Sequence, residues 1–187
     1  AIRFFEDRAA AISAGLELSA SNLDDVMALC RRLDGIPLAI ELACAQLRNY
    51  SISDVAEQLA IRLDHLASAQ RGVPDRQKTL VGSIEWSYAL LPAEERTLLR
   101  AMSVFAGPWS LEAATTVIRG LSLPVGNVQA ALGQLASKSF VTSVEGDFGE
   151  RYRMLQATRE HIVTLLNVAD MDALRHAHAQ YFADFVR

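Results

Sequence analysis

Apolar residues return every three or four positions through most of this chain, and the rhythm breaks at a few glycines, prolines, Asn and Asp residues. AIRFFEDRAA starts in the middle of an amphipathic helical pattern, with no capping residue in front of it. In SNLDDVMALCRRLDG, Ser21 or Asn22 caps a helix whose acids Asp24 and Asp25 lie near its start and whose arginines Arg31 and Arg32 lie near its end. Both placements suit the helix dipole. Leu23, Val26, Met27, Cys30 and Leu33 fall on one face, and Gly35 stands where the helix needs a residue tolerant of positive φ.

Pro37 then opens the next helix, because its missing N–H has no intrahelical partner at that position anyway. Ile40, Ala43, Cys44 and Leu47 form its buried stripe, and a third helix through VAEQLAIRL follows a cap at Ser51 or Ser53. ASAQRGVPDRQ, with Gly72, Pro74 and Asp75, has no period and reads as a loop and an internal boundary. Beyond it, TLVGSIEWSYALL predicts a helix with Leu80, Ile84, Trp86 or Ser87, and Leu91 at helical spacing, stopped by Pro92.

PAEERTLLRAMSVFA restarts a helix with two glutamates in its first turn, and Ser110 caps another over LEAATTVIRG. VQAALGQLASKS supplies Val128, Ala131, Leu132 and Leu135 as a stripe. The period then switches from helical to alternating: SFVTSVEGDFGERYRML predicts two short strands joined by the turn from Gly146 to Gly149. Three helices and a hairpin in this order are the pattern of a winged helix. QATREHIVTLLNV and, after a break near Ala169 and Asp170, a last helix with Leu174, Ala177, Tyr181 and Phe185 on one side complete the chain. The expected fold is mainly α, a helical bundle followed by a winged-helix subdomain with one β-hairpin and a C-terminal helical extension.

Of the 187 residues 51% are hydrophobic and 21% charged, enough apolar surface for one large or two small cores. No apolar run approaches the roughly 18 residues of a membrane-spanning helix, and no basic segment followed by an apolar one opens the chain. A net charge of −4 means that any contact with a polyanion must come from a local patch. The isolated thiols Cys30 and Cys44 sit within apolar helical faces and read as core residues in a reducing cytoplasm. Since Ala1 is not an initiator Met and the helical pattern still runs at Arg187, the chain reads as a segment of a longer protein.

Candidate chemistry is sparse. The glycine-rich GxxxxGK[ST] cradle for phosphates is missing, so triphosphate hydrolysis cannot centre on these residues and no enzyme activity is expected of them. His176 and His178 point to nearly opposite faces of a helix, which makes one a solvated and the other a half-buried histidine. Neither His65 nor His161 has the neighbours a metal site needs, and no catalytic residues are assigned. Between residues 126 and 154 the cations Lys138, Arg151 and Arg153 are balanced by Glu145, Asp147 and Glu150. The helix that would enter a DNA groove offers Ala, Gly and Gln, so structural use outweighs DNA contact.

The corner at Gly35, Ile36, Pro37 and Leu38 has two readings, a plain helix-hairpin turn or a helix start that turns its positive dipole end and an apolar rim toward a nucleotide. GIPLAIELA is similar to the GLPLA motif of NB-ARC-type STAND nucleotide switches. PDRQKTLVGSIEWSYALLPAEERTLLRAMSVFAGPWSLEAA and KSFVTSVEGDFGERYRMLQATREHI resemble the continuation in bacterial transcription regulators of the SARP and large LuxR types.

That resemblance implies an order: residues 1–14 as the exit helix of a P-loop ATPase domain, 15–72 as the bundle, 75–156 as the winged helix and 157–187 as helices leading to a helical repeat region. It implies ADP or ATP as the cofactor of the parent protein, with Pro37 against base and sugar and Gly35, Ile36 and Leu38 beside it. It also implies that Met154, Leu155 and Gln156 stand at the family's phosphate-sensing MHD position. Leu155 cannot donate a hydrogen bond there, and Arg153 and Arg159 are the nearest cations in sequence. The expected partners are the ATPase domain and the repeats of the same chain, with no membrane.

Overall fold

The computed structural model describes residues 1–12, 19, 21–69, 75–146 and 149–185, with the side chains of 62–69, 75–77, 146 and 185 left aside. Among these residues it contains ten α-helices and one antiparallel hairpin, so the chain is mainly α as expected. It divides into two compact units, Ala1–Leu90 and Leu91–Arg187.

The first unit holds α1 (Ile2–Ile12), α2 (Leu23–Arg32), α3 (Pro37–Ala45), a short 3-10 turn (Gln46–Arg48), α4 (Ile52–Ala69) and α5 (Asp75–Ala89). Its core joins Phe5 and Ala9 of α1 to Val26, Leu29 and Cys30 of α2, Ile40, Ala43 and Cys44 of α3, Val55 and Leu59 of α4, and Trp86 of α5. Burying each large side chain in such a cluster contributes about 1.5–3 kcal/mol. On α2 the buried stripe runs through Val26, Leu29, Cys30 and Leu33, whereas Leu23 is exposed and Met27 half-buried. The expected stripe is therefore shifted by part of a turn. On α3 the expected Ile40, Ala43, Cys44 and Leu47 are buried, but so are Ala39, Leu42 and Ala45, because α1 and α5 pack on different sides of it.

Where a loop was expected at 67–77, α4 runs on to Ala69 and α5 starts at Asp75; Gly72 and Pro74 lie outside the described residues. The helix α5 packs on α3 and α4 within the first unit, so the division falls after Leu90, later than the expected boundary at 72 to 75. Its Ser83 and Ser87 are buried beside Ile84 and Trp86, which blurs the apolar stripe that would have announced this packing. Ser51 rather than Ser53 caps α4: its Oγ accepts from the Asp54 N–H and its N–H is returned to the Asp54 carboxylate. The Ser51 hydroxyl, which donates to the Asp54 carboxylate at 2.6 Å, and then the Ser51 N–H hold the Asp54 carboxyl below the usual carboxylate range.

The second unit holds α6 (Ala93–Met102), α7 (Leu111–Gly120), α8 (Val128–Ser137), β1 (Val141–Gly146), β2 (Gly149–Met154), α9 (Gln156–Thr164) and α10 (Val168–Phe185). The Ser110 cap acts where the sequence placed it, its Oγ accepting from the Ala113 N–H at 3.1 Å, and α8 has a cap that the sequence reading did not assign, Asn127 Oδ1 accepting from the Ala130 N–H at 2.9 Å. Val128, Ala131, Leu132 and Leu135 of α8 are all buried, and Leu98, Leu99 and Met102 of α6 meet them in the core. The last helix begins at Val168 with Asn167 capping it, ahead of the expected break at Ala169 and Asp170.

The hairpin pairs Val141 with Met154 and Gly146 with Gly149. A third piece of sheet, absent from the sequence reading, lies between α6 and α7, where Trp109 and Tyr152 exchange backbone bonds of 2.8 and 2.9 Å. Helices α6, α7 and α8 with this bridged hairpin make a winged-helix-like arrangement.

Three helices stop in the same way. After α2, α7 and α8 the residue past the cap takes a left-handed conformation, at Asp34 (φ 50°), Ser122 (φ 49°) and Ser139 (φ 61°). In each, the next N–H reaches back to the last turn: Gly35 to Cys30, Leu123 to Ile118 and Phe140 to Leu135. Glycine takes this conformation without the clash that costs other L-residues about 1–2 kcal/mol. Ser139→Gly is expected to raise the unfolding free energy by about 1 kcal/mol in a denaturant titration; a loss of stability would contradict the strained-cap account.

Candidate functional site

The corner at Gly35 is built by the end of α2. The Asp34 N–H donates to the Arg31 carbonyl at 3.0 Å, Gly35 to Cys30 at 3.1 Å and Ile36 to Leu33 at 2.9 Å. Gly35 itself has φ 64°, so two left-handed residues in succession swing the chain out of α2. Ile36 takes an extended conformation, Pro37 supplies the first turn of α3, and the Ile40 N–H closes that turn on the Ile36 carbonyl. Pro37 is exposed, while Gly35, Ile36 and Leu38 are half-buried.

The first N–H groups of α3 have no side-chain cap, and the ring of Pro37 stands in the open between two half-buried aliphatic residues. Such a rim fits an apolar, planar group better than a phosphate. On the Gly35 side a cavity of about 400 Å³ is lined by Met27, Cys30, Arg31 and Asp34 together with Ala1 and Ile2. Arg8 of α1 pairs with Glu41 of α3 at 3.0 Å and ties the two helices together.

Both thiols are structural, as the sequence suggested. Burial raises the Cys30 thiol, and burial together with the nearby Cys30 and Glu41 pushes Cys44 up to about 12. Neither forms a thiolate near neutral pH.

The stretch at Met154, Leu155 and Gln156 joins β2 to α9. Met154 is buried, Leu155 is the half-buried N-cap residue of α9, and the Gln156 amide donates to Glu160 at 2.7 Å. Leu155 offers no donor to a phosphate. Of the two nearby cations, Arg159 donates its Nε–H to the Ser103 carbonyl at 2.8 Å and holds α9 to the end of α6, whereas Arg153 is exposed on the hairpin.

Charge on the winged-helix-like part is arranged more sharply than its balance implies. Lys138, at the end of α8, donates to both oxygens of Glu95 at 2.8 and 2.6 Å, and Glu95 is only 7% exposed. Next to it, Glu94 accepts from the Gly126 N–H at 2.6 Å. Consecutive glutamates in the first turn of α6 thus hold the turn before α8 and the residue after it. The outer positions of α8, Gln129, Ala130, Gly133 and Gln134, are exposed and uncharged.

Residues opposite each other in the hairpin share a face. Ser143, Tyr152, Glu145 and Glu150 therefore occupy one face, with Glu150 accepting from the Ser143 and Tyr152 hydroxyls. This neighbourhood and burial raise the Tyr152 phenol above its ordinary value, burial first. Thr142, Val144, Arg151 and Arg153 occupy the other face, and among the described residues neither arginine has a carboxylate within ion-pair reach. Only the three-dimensional register separates these signs.

Among the histidines, His176 is exposed and His178 half-buried between Phe105 and Phe182, as the helical spacing indicated. Burial lowers the His178 pKa. His65 lies among the side chains left aside, and the described residues contain no group of three metal-ligating side chains. No helix among them is long and apolar enough to cross a membrane.

No known family profile matches the chain. It is 36% identical over 182 residues to a protein of Mycobacterium tuberculosis provisionally named an HTH-type transcriptional regulator, covering 97% of this chain and 21% of that protein. A protein of Mycobacterium bovis with the same provisional name shows the same identity and coverage. An uncharacterised protein of Mycobacterium tuberculosis is 35% identical over 171 residues, 89% of this chain and 43% of its own length. The chain thus spans about a fifth of the named regulators and less than half of the third relative.

The left-handed backbone at Gly35 generates a prediction. An added Cβ would meet the Ala1 Cβ at an ordinary 3.8 Å, so Gly35→Ala strains the backbone and not the packing. It is expected to cost about 1–2 kcal/mol in equilibrium unfolding, and an unchanged unfolding midpoint would show that the corner is not held in this conformation.

Proposed function

We propose that this chain is a switch module of a larger transcription regulator, one that responds to a nucleotide held mainly by a P-loop domain elsewhere in the parent protein. The observation that carries this reading is the engagement of Lys138 by Glu95, which removes the cation of the would-be recognition helix from any DNA backbone. The names of the longer relatives support a regulatory role, and since this chain matches about a fifth of them, those names do not locate a helix-turn-helix within it.

In this reading ADP in the parent touches Pro37 through its base and sugar, with Ile36 and Leu38 forming the apolar rim and Gly35 setting the bend. The P-loop domain supplies phosphate binding and any hydrolysis, and this chain supplies no catalytic group. Met154, Leu155 and Gln156 act by packing, because Leu155 lacks a donor and Arg159 is engaged with Ser103. Exchange of ADP for ATP shifts the parent between a closed and an open state, and nucleotide contacts on both sides of a hinge provide the differential affinity that such a shift requires. The partners are the P-loop domain and a helical repeat region of the same protein, in the cytoplasm.

A second reading, DNA contact by the hairpin, is favoured by the face that carries the half-buried Arg151 and the exposed Arg153. A third is a helical scaffold for protein interactions. Titration of this chain with duplex DNA at about 0.15 M salt is expected to show no saturable binding up to about 100 µM. Tighter binding that weakens steeply with salt would establish the second reading. In the parent protein, Pro37→Ala is expected to weaken ADP retention by about tenfold; unchanged retention would leave the scaffold reading standing.

A further inference from the structure

One hollow of the second unit is lined by no residue of α8. It has a volume of about 510 Å³ and opens between the start of α7, the middle of β2 and the end of α10. Volumes of this size accommodate one small organic ligand.

Trp109, Tyr181 and Phe182 give it an aromatic side, backed by further rings. Trp109 stacks on Phe105 with centroids 5.4 Å apart, Phe105 meets His178 at 4.8 Å, and His178 meets Phe182 at 4.8 Å. Tyr181 packs edge-on against Phe182 at 5.1 Å. This column begins at the buried Trp109, whose indole N–H has no acceptor among the described residues, and ends at Phe182, which lines the cavity and is 43% exposed. An aromatic column that ends open at a hollow offers a stacking surface.

The polar groups are few and mostly donors. Arg151 lines the cavity from β2 and has no carboxylate within reach among the described residues. Ser110 already accepts from the Ala113 N–H, so its hydroxyl retains a proton to donate. Glu112 is the counterweight: it is exposed and lines the same hollow. One unpaired guanidinium favours a single carboxylate in bidentate contact, and a carboxylate beside it repels ligands of higher negative charge.

We propose that this cavity is a binding site for a small aromatic monocarboxylate, its ring against Phe182 and Tyr181 and its carboxylate on Arg151. This site is independent of the nucleotide reading above. A polyphosphate or a DNA strand is disfavoured by Glu112 and by the apolar walls.

Calorimetric titration of the chain with phenylacetate, indole-3-acetate and 2-naphthoate, each beside its neutral primary amide, tests the assignment. At least one acid is expected to bind with Kd below about 1 mM, and its amide about tenfold more weakly. Arg151→Gln is expected to erase the difference between acid and amide, while Phe182→Ala weakens both. Glu112→Gln, at an exposed position, is expected to tighten the acid about threefold without changing the amide. The proposal is overturned if none of the acids binds below about 1 mM, if acid and amide bind alike, or if Arg151→Gln leaves the preference for the acid intact in a protein whose circular dichroism is unchanged.

Discussion

A carboxylate taken almost completely out of water has to be given a partner, and in this chain that requirement sets the role of the helix most exposed to functional interpretation. Glu95 meets it with Lys138, while Glu94 holds the Gly126 N–H, so both ends of α8 are fastened to the first turn of α6. Removing one member of a buried pair leaves an uncompensated charge that costs about 3–5 kcal/mol. Lys138 therefore serves the fold first. The wing follows from α8, because Phe140 closes the end of the helix on Leu135 and leads into β1.

The sequence carried much of this arrangement because elements with a strong period and a recognisable cap declare themselves. Ser110 and the stripe of α8 were legible residue by residue. The way three of these helices end was not. Asp34, Ser122 and Ser139 take the left-handed cap position that a glycine would have announced, and Trp109 joins the sheet through one bridge, too short to show any alternation. On α2 the apolar Leu23 and Met27 drew the stripe toward solvent, and Leu29, which lies in the core, was passed over.

The same contrast holds for the candidate sites. The corner at Gly35 to Leu38 was visible in sequence because a glycine and a proline two positions apart cannot belong to one regular helix. Its openness to solvent, with Pro37 exposed, is a property of packing. Equal numbers of cations and anions on the winged-helix-like part concealed two different environments: a part-buried ion pair behind α8, and a hairpin with its arginines on one face and its glutamates on the other. Register creates that second separation, and counting charges along the chain cannot detect it.

The central claim is that α8 is held inward by an ion pair whose carboxylate water barely reaches. A double-mutant cycle on the whole chain, with Glu95→Gln, Lys138→Met and the combined variant unfolded by denaturant, measures that coupling directly. The account predicts a coupling of at least about 1.5 kcal/mol and a double variant that is less destabilised than Lys138→Met alone. A coupling below about 0.5 kcal/mol, the level of a solvent-exposed pair, would mean that Lys138 is free to serve a partner and would contradict it.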